Sequence, residues 1–565
     1  MTPEERDARF YRDTETIAFP CLDDHQLDLL TKLGTRTIVR PGEMVISAGD
    51  REFPLALVLS GELEVYENRD GTELILATPG PRSFVGEVSM LNGTSAIASV
   101  RGKAEESEVV LVPGGNLRQA LADLHGIGEP LVQAFMMRRA RLLRDPEFAG
   151  LRIVAEPRCR MGHRMDDFLG KNHIPHRLVD ARSSEGISIC GHYELAPESL
   201  PALITGDGSA LANPSIFEVA RAAGLLRPLS GEKDAELFCD LAIVGAGPAG
   251  LAAAVNGASE GLKTVVLESF APGGQAGSSS LIENFFGYPT GISGGELTNR
   301  AHLQAYRFGA KFSSPSQVLS MAFSGGDHGA ALRIDGSGTV LRAKCVIIST
   351  GAQYNLIDAE GRERFEGLGV YYAATAIEAK WCRDVTVVVV GAGNSAGQAA
   401  MFLSEHACRV ILVVRGEGLA KSMSSYLSTR VEVNPNIEIR YSTVIRRMTG
   451  ADRLEEIEIA NTRTGVQETV ATAAVFSMIG AAPCTHWLPP EILRDEKGFI
   501  KTGRAVVDAP AWKGADRLPY PFETSMPGVF AAGDVRSGSV KRCSAAVGEG
   551  SMAIENVHQV LGTYA

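Results

Sequence analysis

Read as letters alone, the 565-residue chain predicts a multidomain fold: an antiparallel β-barrel or jelly-roll, a small α/β domain, and a carboxy-terminal pair of Rossmann-like units. Three observations carry this expectation. At about 100–200 residues per domain, a chain of this length holds three or four folding units. Residues from about 20 to 110 alternate short β-like runs with glycine-containing turns. Two later stretches, LAIVGAGPAGLAAAV from Leu241 and VTVVVVGAGNSAGQAA from Val385, each run from an apolar strand through a glycine turn into a helix.

In the first domain, residues 1–146, the runs LALVLSG, ELEVYEN and ELILATPG read as strands. Apolar residues then recur at helical spacing from Leu117 to Leu143, and RDPEFAG reads as a linker. In the second, residues 150–230, LRIVAE is a strand, HRMDDFLGKN a helix and PHRLVDA a strand; after a loop come a hairpin, PALITGDGSAL, and a helix, PSIFEVARAAG. The polar SGEKDAE leads into a third domain, 236–352 with 485–565, interrupted by a fourth, 356–482.

Composition narrows the functions. Charged residues are 22% and hydrophobic residues 45%, ordinary for a globular chain. Lys and Arg number 55 against 67 Asp and Glu, and the net charge of −12 opposes a phosphate backbone or an anionic bilayer, so neither nucleic acid nor membrane is expected as a partner. MTPEERDARF has neither the basic start nor the apolar run of an export signal, which points to a cytoplasmic protein. Nine cysteines without any CxxC spacing fit reduced thiols better than a disulfide framework or a zinc site, and no metal is expected.

In the first glycine turn, Gly245, Gly247, Ala249 and Gly250 follow a strand and open a helix, so backbone amides can approach a pyrophosphate at the positive helix end. Glu268 ends the next strand, KTVVLES, where a carboxylate can accept hydrogen bonds from both ribose hydroxyls of an adenine dinucleotide. The second turn repeats this logic with Gly391, Gly393, Asn394, Ser395 and Ala396. Its following strand, RVILVVR, ends in Arg415, which can pair with a 2′-phosphate and favours NADPH over NADH; a solvated strand-end arginine is the alternative.

From about Leu241 onward the chain resembles thioredoxin reductases, in which an FAD domain is interrupted by an NADPH domain. GGQAGSSSLIENFFGYPTGISGGEL resembles the family's flavin-contacting segment, which implies Gly274, Gln275 and Asn284 near FAD. STGA, with Gly351, resembles the crossover between the two domains. GVFAAGDVRSGSVKRCSAAVGEGSMA resembles another family segment, which implies Asp534 at the ribityl chain and Cys543 and Ser544 along the flavin pyrimidine edge, with Gly533 and Arg542 also among the FAD-binding residues.

The family writes Tyr-Cys-Ala-Thr-Cys-Asp before the strand that enters the NADPH turn. This chain writes Tyr372-Ala373-Ala374-Thr375-Ala376-Ile377. Both sulfurs and the acid are gone, and neither alanine nor isoleucine can carry thiol or proton-transfer chemistry. Glu378 stands one place beyond the lost acid, where the competing reading is an exposed helix carboxylate. Cys382 reads as a small apolar filler at the start of a buried strand.

The second domain resembles glutaredoxins: IVAEPRCRMGHRMDDFL matches their strand, active-site turn and helix, and SLPALIT their cis-proline strand, with Pro201 as that proline. Only the helix-capping thiol survives, at Cys159, with Gly162 in place of the second cysteine. Cys159 is a monothiol nucleophile or the remnant of a docking fold. The first domain resembles cyclic-nucleotide-binding domains from RPGEMVISAGD through FVGEVSMLNGTSAIASV. Gly86 and Glu87 match residues that meet phosphate and ribose, but Ala96 stands where the family has its phosphate-clamping arginine. Cyclic nucleotide binding is therefore not expected, and an interaction or dimerisation role is.

Together these implications describe an FAD- and NADPH-dependent oxidoreductase, expected as a homodimer, that resembles thioredoxin reductase without its disulfide. Its electron acceptor would be a small carrier protein or small molecule such as ferredoxin, flavodoxin or a quinone. Cys159 and Glu378 are the remaining candidates for catalytic groups. Two alternatives stay open: thiol-disulfide reduction through Cys159, and a redox or nucleotide sensor without turnover.

Overall fold

Two units make up the computed structural model: Met1–Lys233 with Ala258–Ala271 and His302–Gln317, and Asp234–Gly257 with Pro272–Ala301 and Val318–Ala565. It describes residues 3–562 except 52, 70–71, 87–88, 91–93, 104, 124–126, 146–147, 149, 158, 227–235, 280–281, 283, 324–328, 335–338, 366–367, 373, 375–378, 380–381, 384, 421, 452 and 514.

The first unit begins with two helices, Pro3–Ala18 and Asp24–Leu33, followed by two four-stranded antiparallel sheets. One sheet runs Thr35–Val39, Ser107–Val112, Leu55–Ser60, Phe84–Val85; the other Met44–Ile46, Ser99–Gly102, Leu63–Arg69, Thr72–Ala77. Leu55, Leu57, Val109 and Phe84 fill the core together with Leu131 and Phe135 from the helix Gly128–Arg144. Each such side chain removed from water contributes about 1.5–3 kcal/mol.

Two readings need correction here. Residues 24–33, placed among β-like runs, form a helix because Asp23 and Gln26 make a capping box: Asp23 Oδ1 accepts the Gln26 N–H at 2.8 Å and Gln26 Oε1 accepts the Asp23 N–H at 3.1 Å. The apolar stretch 117–143 belongs to two helices, Gly114–Asp123 and Gly128–Arg144. The second starts just before Pro130, whose missing N–H costs nothing in a first helical turn.

Next in the same unit is a four-stranded sheet in the order His176–Asp180, Leu151–Ala155, Ala202–Ile204, Ala210–Ala212, with the first pair parallel and the others antiparallel. Helices Arg160–Lys171, Ser184–His192 and Ile216–Ala222 accompany it. The middle helix, read from sequence as a loop, is capped by Ser183 Oγ accepting the Gly186 N–H at 3.0 Å. The Leu200–Pro201 bond is cis. Thr264–Leu267 pairs in parallel with Lys311–Ser313, and Phe270 packs its ring edge-on to Phe168 at 5.1 Å.

In the second unit Val340–Ile348 lies between Glu236–Val244 and Val529–Ala531, all parallel, and is extended by the antiparallel strands Ala330–Ile334 and Val318–Phe323. A separate parallel sheet runs Val370–Tyr371, Ala474–Ser477, Thr386–Val390, Arg409–Val413, Ile437–Arg440. The strands Ala352–Tyr354 and Ala481–Pro483 pair antiparallel. Among the described residues no helix is long and apolar enough to cross a membrane, and no group of three His, Cys, Asp or Glu is placed to hold a metal.

Candidate functional site

In the second unit the registers Val244↔Ile348 and Ile348↔Ala531 align the carboxyl ends of three parallel strands, so the turns that follow them converge. These turns are Gly245–Gly250, Ser349–Ala352 and Ala532–Asp534. Gly245 has φ +102, and a side-chain carbon there would lie 2.5 Å from the Ser349 carbonyl oxygen. Gly250 is tighter still: a methyl would be driven into the Gly245 carbonyl and come 2.7 Å from Ser349 Oγ. Ser349 Oγ holds the turn by donating to Gly245 O at 2.8 Å.

Gly247 differs from both neighbours. Nothing among the described residues lies within 4 Å of where its side chain would point, and the same is true of Gly351. A methyl at Gly247 would project into open space at the amino end of the helix Pro248–Ser259, a cradle in which backbone can approach a pyrophosphate. Gly274, at φ +54, abuts Gly247: a side chain there would lie 3.1 Å from the Gly247 Cα. Gln275 Nε2 donates to the Ala352 carbonyl, and the Gly273 N–H donates to Ala246 O at 2.7 Å. Asn284 lies exposed in a turn. In the first unit Glu268 follows its strand directly, and its Oε1 accepts the Phe270 N–H at 2.9 Å.

Asp534 is held by residues that the sequence reading passed over. Glu549, 7% exposed, accepts the Gly533 N–H at 2.7 Å and both Arg536 Nε and a terminal Arg536 nitrogen, at 3.1 and 2.6 Å. This pair, with its carboxylate buried and its guanidinium partly exposed, fixes the turn at Gly533, whose φ is +78. The signal was two opposite charges inside otherwise apolar and glycine-rich motif text, GDVR and GEG. Lys541 Nζ donates to the Asp534 carbonyl and lies 4.4 Å from the Phe499 ring centre. Burial raises the Asp534 carboxyl above its ordinary range, with Lys541 opposing and Glu549 adding to the rise.

Arg542, Cys543 and Ser544 stand at the start of the helix Cys543–Gly562, which packs at Gly550 so closely that a methyl there would enter the Ala249 carbonyl. Burial, with a smaller push from Asp534, raises the Cys543 thiol to about 11. It is protonated at neutral pH, which removes it as a thiolate nucleophile.

The second glycine turn follows the same geometry. The Gly391 N–H donates to Val413 O at 3.0 Å, its φ is +147, and Gly393 caps the helix Asn394–Leu403. Asn394 Oδ1 accepts the Ser424 N–H at 2.8 Å; Ala396 is fully buried and Ser395 exposed. Arg415 is exposed, two residues past the strand Arg409–Val413.

Ala373, Ala376 and Glu378 lie outside the described residues, as does Glu87. Between the two alanines, Ala374 is 9% exposed, and Tyr371 faces Phe476 with ring centres 5.5 Å apart. Cys382 is fully buried among Val387, Ala400 and Leu403, as a filler would be, but it sits in a turn before the strand rather than in it.

Cys159 caps the helix Arg160–Lys171, its Sγ accepting the Gly162 N–H at 3.4 Å. The structure supplies a reason for the missing second cysteine: a side-chain carbon on Gly162 would lie 2.6 Å from the Ala155 Cβ. Gly86 is similarly tight, with Met90 Sδ 2.8 Å from where its side chain would begin, and Ala96 is 6% exposed.

Residues 239–550, more than half of the chain, match the family model described as pyridine nucleotide-disulphide oxidoreductase. The chain belongs to this family. A second match, to the cyclic nucleotide-binding domain, covers residues 36–123, so the chain is a fusion of this oxidoreductase with an amino-terminal cyclic nucleotide-binding domain. Among similar proteins, the thioredoxin reductase of Treponema pallidum (strain Nichols) is 32% identical over 314 residues, 56% of this chain and 94% of that protein. The thioredoxin reductase of Streptomyces clavuligerus is 31% identical over 324 residues, 57% and 94% respectively. The crystal structure of Lactococcus lactis thioredoxin reductase in its FR conformation matches at 26% identity with TM-score 0.51, covering 57% of this chain and 99% of that one. As a member of this oxidoreductase family the chain is an NAD(P)H-dependent flavin oxidoreductase.

Proposed function

We propose that this oxidoreductase moves electrons from NADPH through FAD to an acceptor other than an internal disulfide, either a small electron-carrier protein or a small molecule such as a quinone. The observation that carries the reading is the contrast between two intact glycine turns and the alanines at 373 and 376, where the resemblance places cysteines. FAD, when bound, supplies hydride acceptance from the nicotinamide and onward electron transfer. The chain's own part is positional. The Gly247 cradle and the helix end at Pro248 would hold the pyrophosphate, and Glu549 with Arg536 would hold Asp534 for the ribityl chain. Gly391 to Ala396 would hold the nicotinamide dinucleotide, and Arg415 would meet its 2′-phosphate.

Stopped-flow reduction of the flavin by NADPH and NADH, then reoxidation against ferredoxin, flavodoxin, quinone, ferricyanide and thioredoxin, tests donor and outlet in turn. Fast reduction by NADPH and reoxidation by an acceptor other than thioredoxin are expected; sustained thioredoxin turnover refutes the reading. Arg415→Ala should raise KM for NADPH about tenfold and leave NADH unchanged. The partly exposed thiol of Cys159 at a helix start favours one other outlet. Unchanged turnover in Cys159→Ser removes it.

A further inference from the structure

We propose that the face of the cyclic nucleotide-binding domain carrying Ser89 and Ser95 to Ile97 is a docking face for the chain's own α/β domain, residues 150–226, with Arg139 as the central contact. The domain's ligand is thus another part of the same chain. This goes beyond the electron-transfer reading and does not depend on it.

The contacts come from several elements. Arg139, on the helix Gly128–Arg144 and 3% exposed, donates through one terminal nitrogen to Ser89 Oγ at 2.9 Å and through the other to the His173 carbonyl at 2.9 Å. One guanidinium therefore joins the β-roll to the α/β domain. Ser89 is held in turn by Thr94 Oγ1 at 2.8 Å, and both are buried. A guanidinium taken out of water is costly unless its donors are satisfied, so this residue is committed to the two-sided arrangement.

Beside it, the loop at 47–51 and the segment 94–97 are tied together by Gly49 N–H to Ala96 O at 2.8 Å and Ala96 N–H to Asp50 O at 2.9 Å. The α/β domain covers this pair. Gly224, at φ +70, lies so close to Ser95 that a side chain would collide with its backbone nitrogen and Oγ. A side chain on Gly206 would lie 3.7 Å from Ala48 Cβ and 4.0 Å from Ile97 O. Arg51 donates to the Arg221 carbonyl at 3.2 Å. At a further point, Glu67, 6% exposed, accepts the Gly150 N–H at 2.8 Å.

Ala96 lies in the middle of this face. The position at which the resemblance implies a phosphate-clamping arginine is thus flanked on both sides by residues packed against protein. Backbone groups and glycines of the α/β domain meet the face, so recognition is by shape and by charge-assisted hydrogen bonds between Arg139, Arg51 and Glu67 and that backbone rather than by ion pairs.

Hydrogen exchange on the full chain with FAD present tests this. Arg139→Met removes the donors and keeps the volume, and should speed exchange at least about tenfold in peptides on both sides, 89–97 and 216–224. Faster exchange on the β-roll side alone overturns the proposal, because Arg139 would then only brace its own domain; unchanged exchange on both sides overturns it as well. Should Arg139→Met not fold, Arg51→Ala, at an exposed contact, carries the same comparison at about two- to threefold. Ala96→Arg separates an occupied face from a vacant pocket. No binding of a fluorescent cyclic AMP analogue to that variant is expected, and restored micromolar binding overturns the proposal.

Discussion

Replacing Glu549 by alanine tests how the Asp534 turn is held. The carboxylate accepts three hydrogen bonds, from the Gly533 N–H at 2.7 Å and from Arg536 at 3.1 and 2.6 Å. Its loss leaves a buried N–H without an acceptor, worth about 1–3 kcal/mol, and strips a buried ion pair of one partner, worth about 3–5 kcal/mol. These costs overlap, and Arg536, with its side chain 19% exposed, can turn toward water, so a total of about 3 kcal/mol is expected. If that cost falls on the turn presenting Asp534, FAD affinity drops by about two decades. The assay is titration of apoprotein with FAD by flavin fluorescence, alongside circular dichroism to confirm folding. Glu549→Gln keeps an acceptor for Gly533 and loses only the charge, so it should lose about half as much in free energy. A folded Glu549→Ala protein that binds FAD within threefold of wild type refutes the reasoning.

Gly250→Ala should yield protein purified without flavin, seen as loss of the visible flavin absorption, because the methyl is driven into the Gly245 carbonyl and crowds Ser349 Oγ. Cys543→Ser should leave the rate of flavin reduction within about twofold, and iodoacetamide should label Cys543 only as pH approaches about 11, since its thiol is protonated below that. Burial, with Arg139 adding, lowers His173 from 6.5 to about 4. Between those values the unfolded chain takes up a proton that the folded chain refuses, so this contribution to stability is intact above pH 6.5 and is lost as pH falls toward 4, by up to about 3 kcal/mol. His173→Asn, which tolerates the same φ of +54, should flatten that pH dependence in urea melts of the amino-terminal unit; an unchanged slope would show that His173 does not supply it.

Where local physics is decisive, sequence sufficed. The turns at Gly245 and Gly391 were legible because only a strand, a positive-φ glycine and a helix start can be written that way. The strands Leu55–Ser60, Leu63–Arg69 and Thr72–Ala77 showed their β-like runs bounded by glycine turns. The helix Asp24–Leu33 was written in its capping box and overlooked, because its apolar residues sat beside a run of strands.

What depended on distant residues could not be read in this way. That Glu549 reaches back to Gly533 and Arg536 follows from the close approach of the Cys543–Gly562 helix to Ala249, made possible by Gly550. The absence of a second thiol at Gly162 is a letter in the sequence, and its steric cause, the Ala155 Cβ, belongs to packing. The sequence by itself determined the two glycine turns, the fusion and the alanines at 373 and 376, since each is a property of neighbouring residues. Only the tertiary structure decided which charges pair and what covers Ser95 and Ala96, because buried electrostatics and steric fit are set by residues brought together from across the chain.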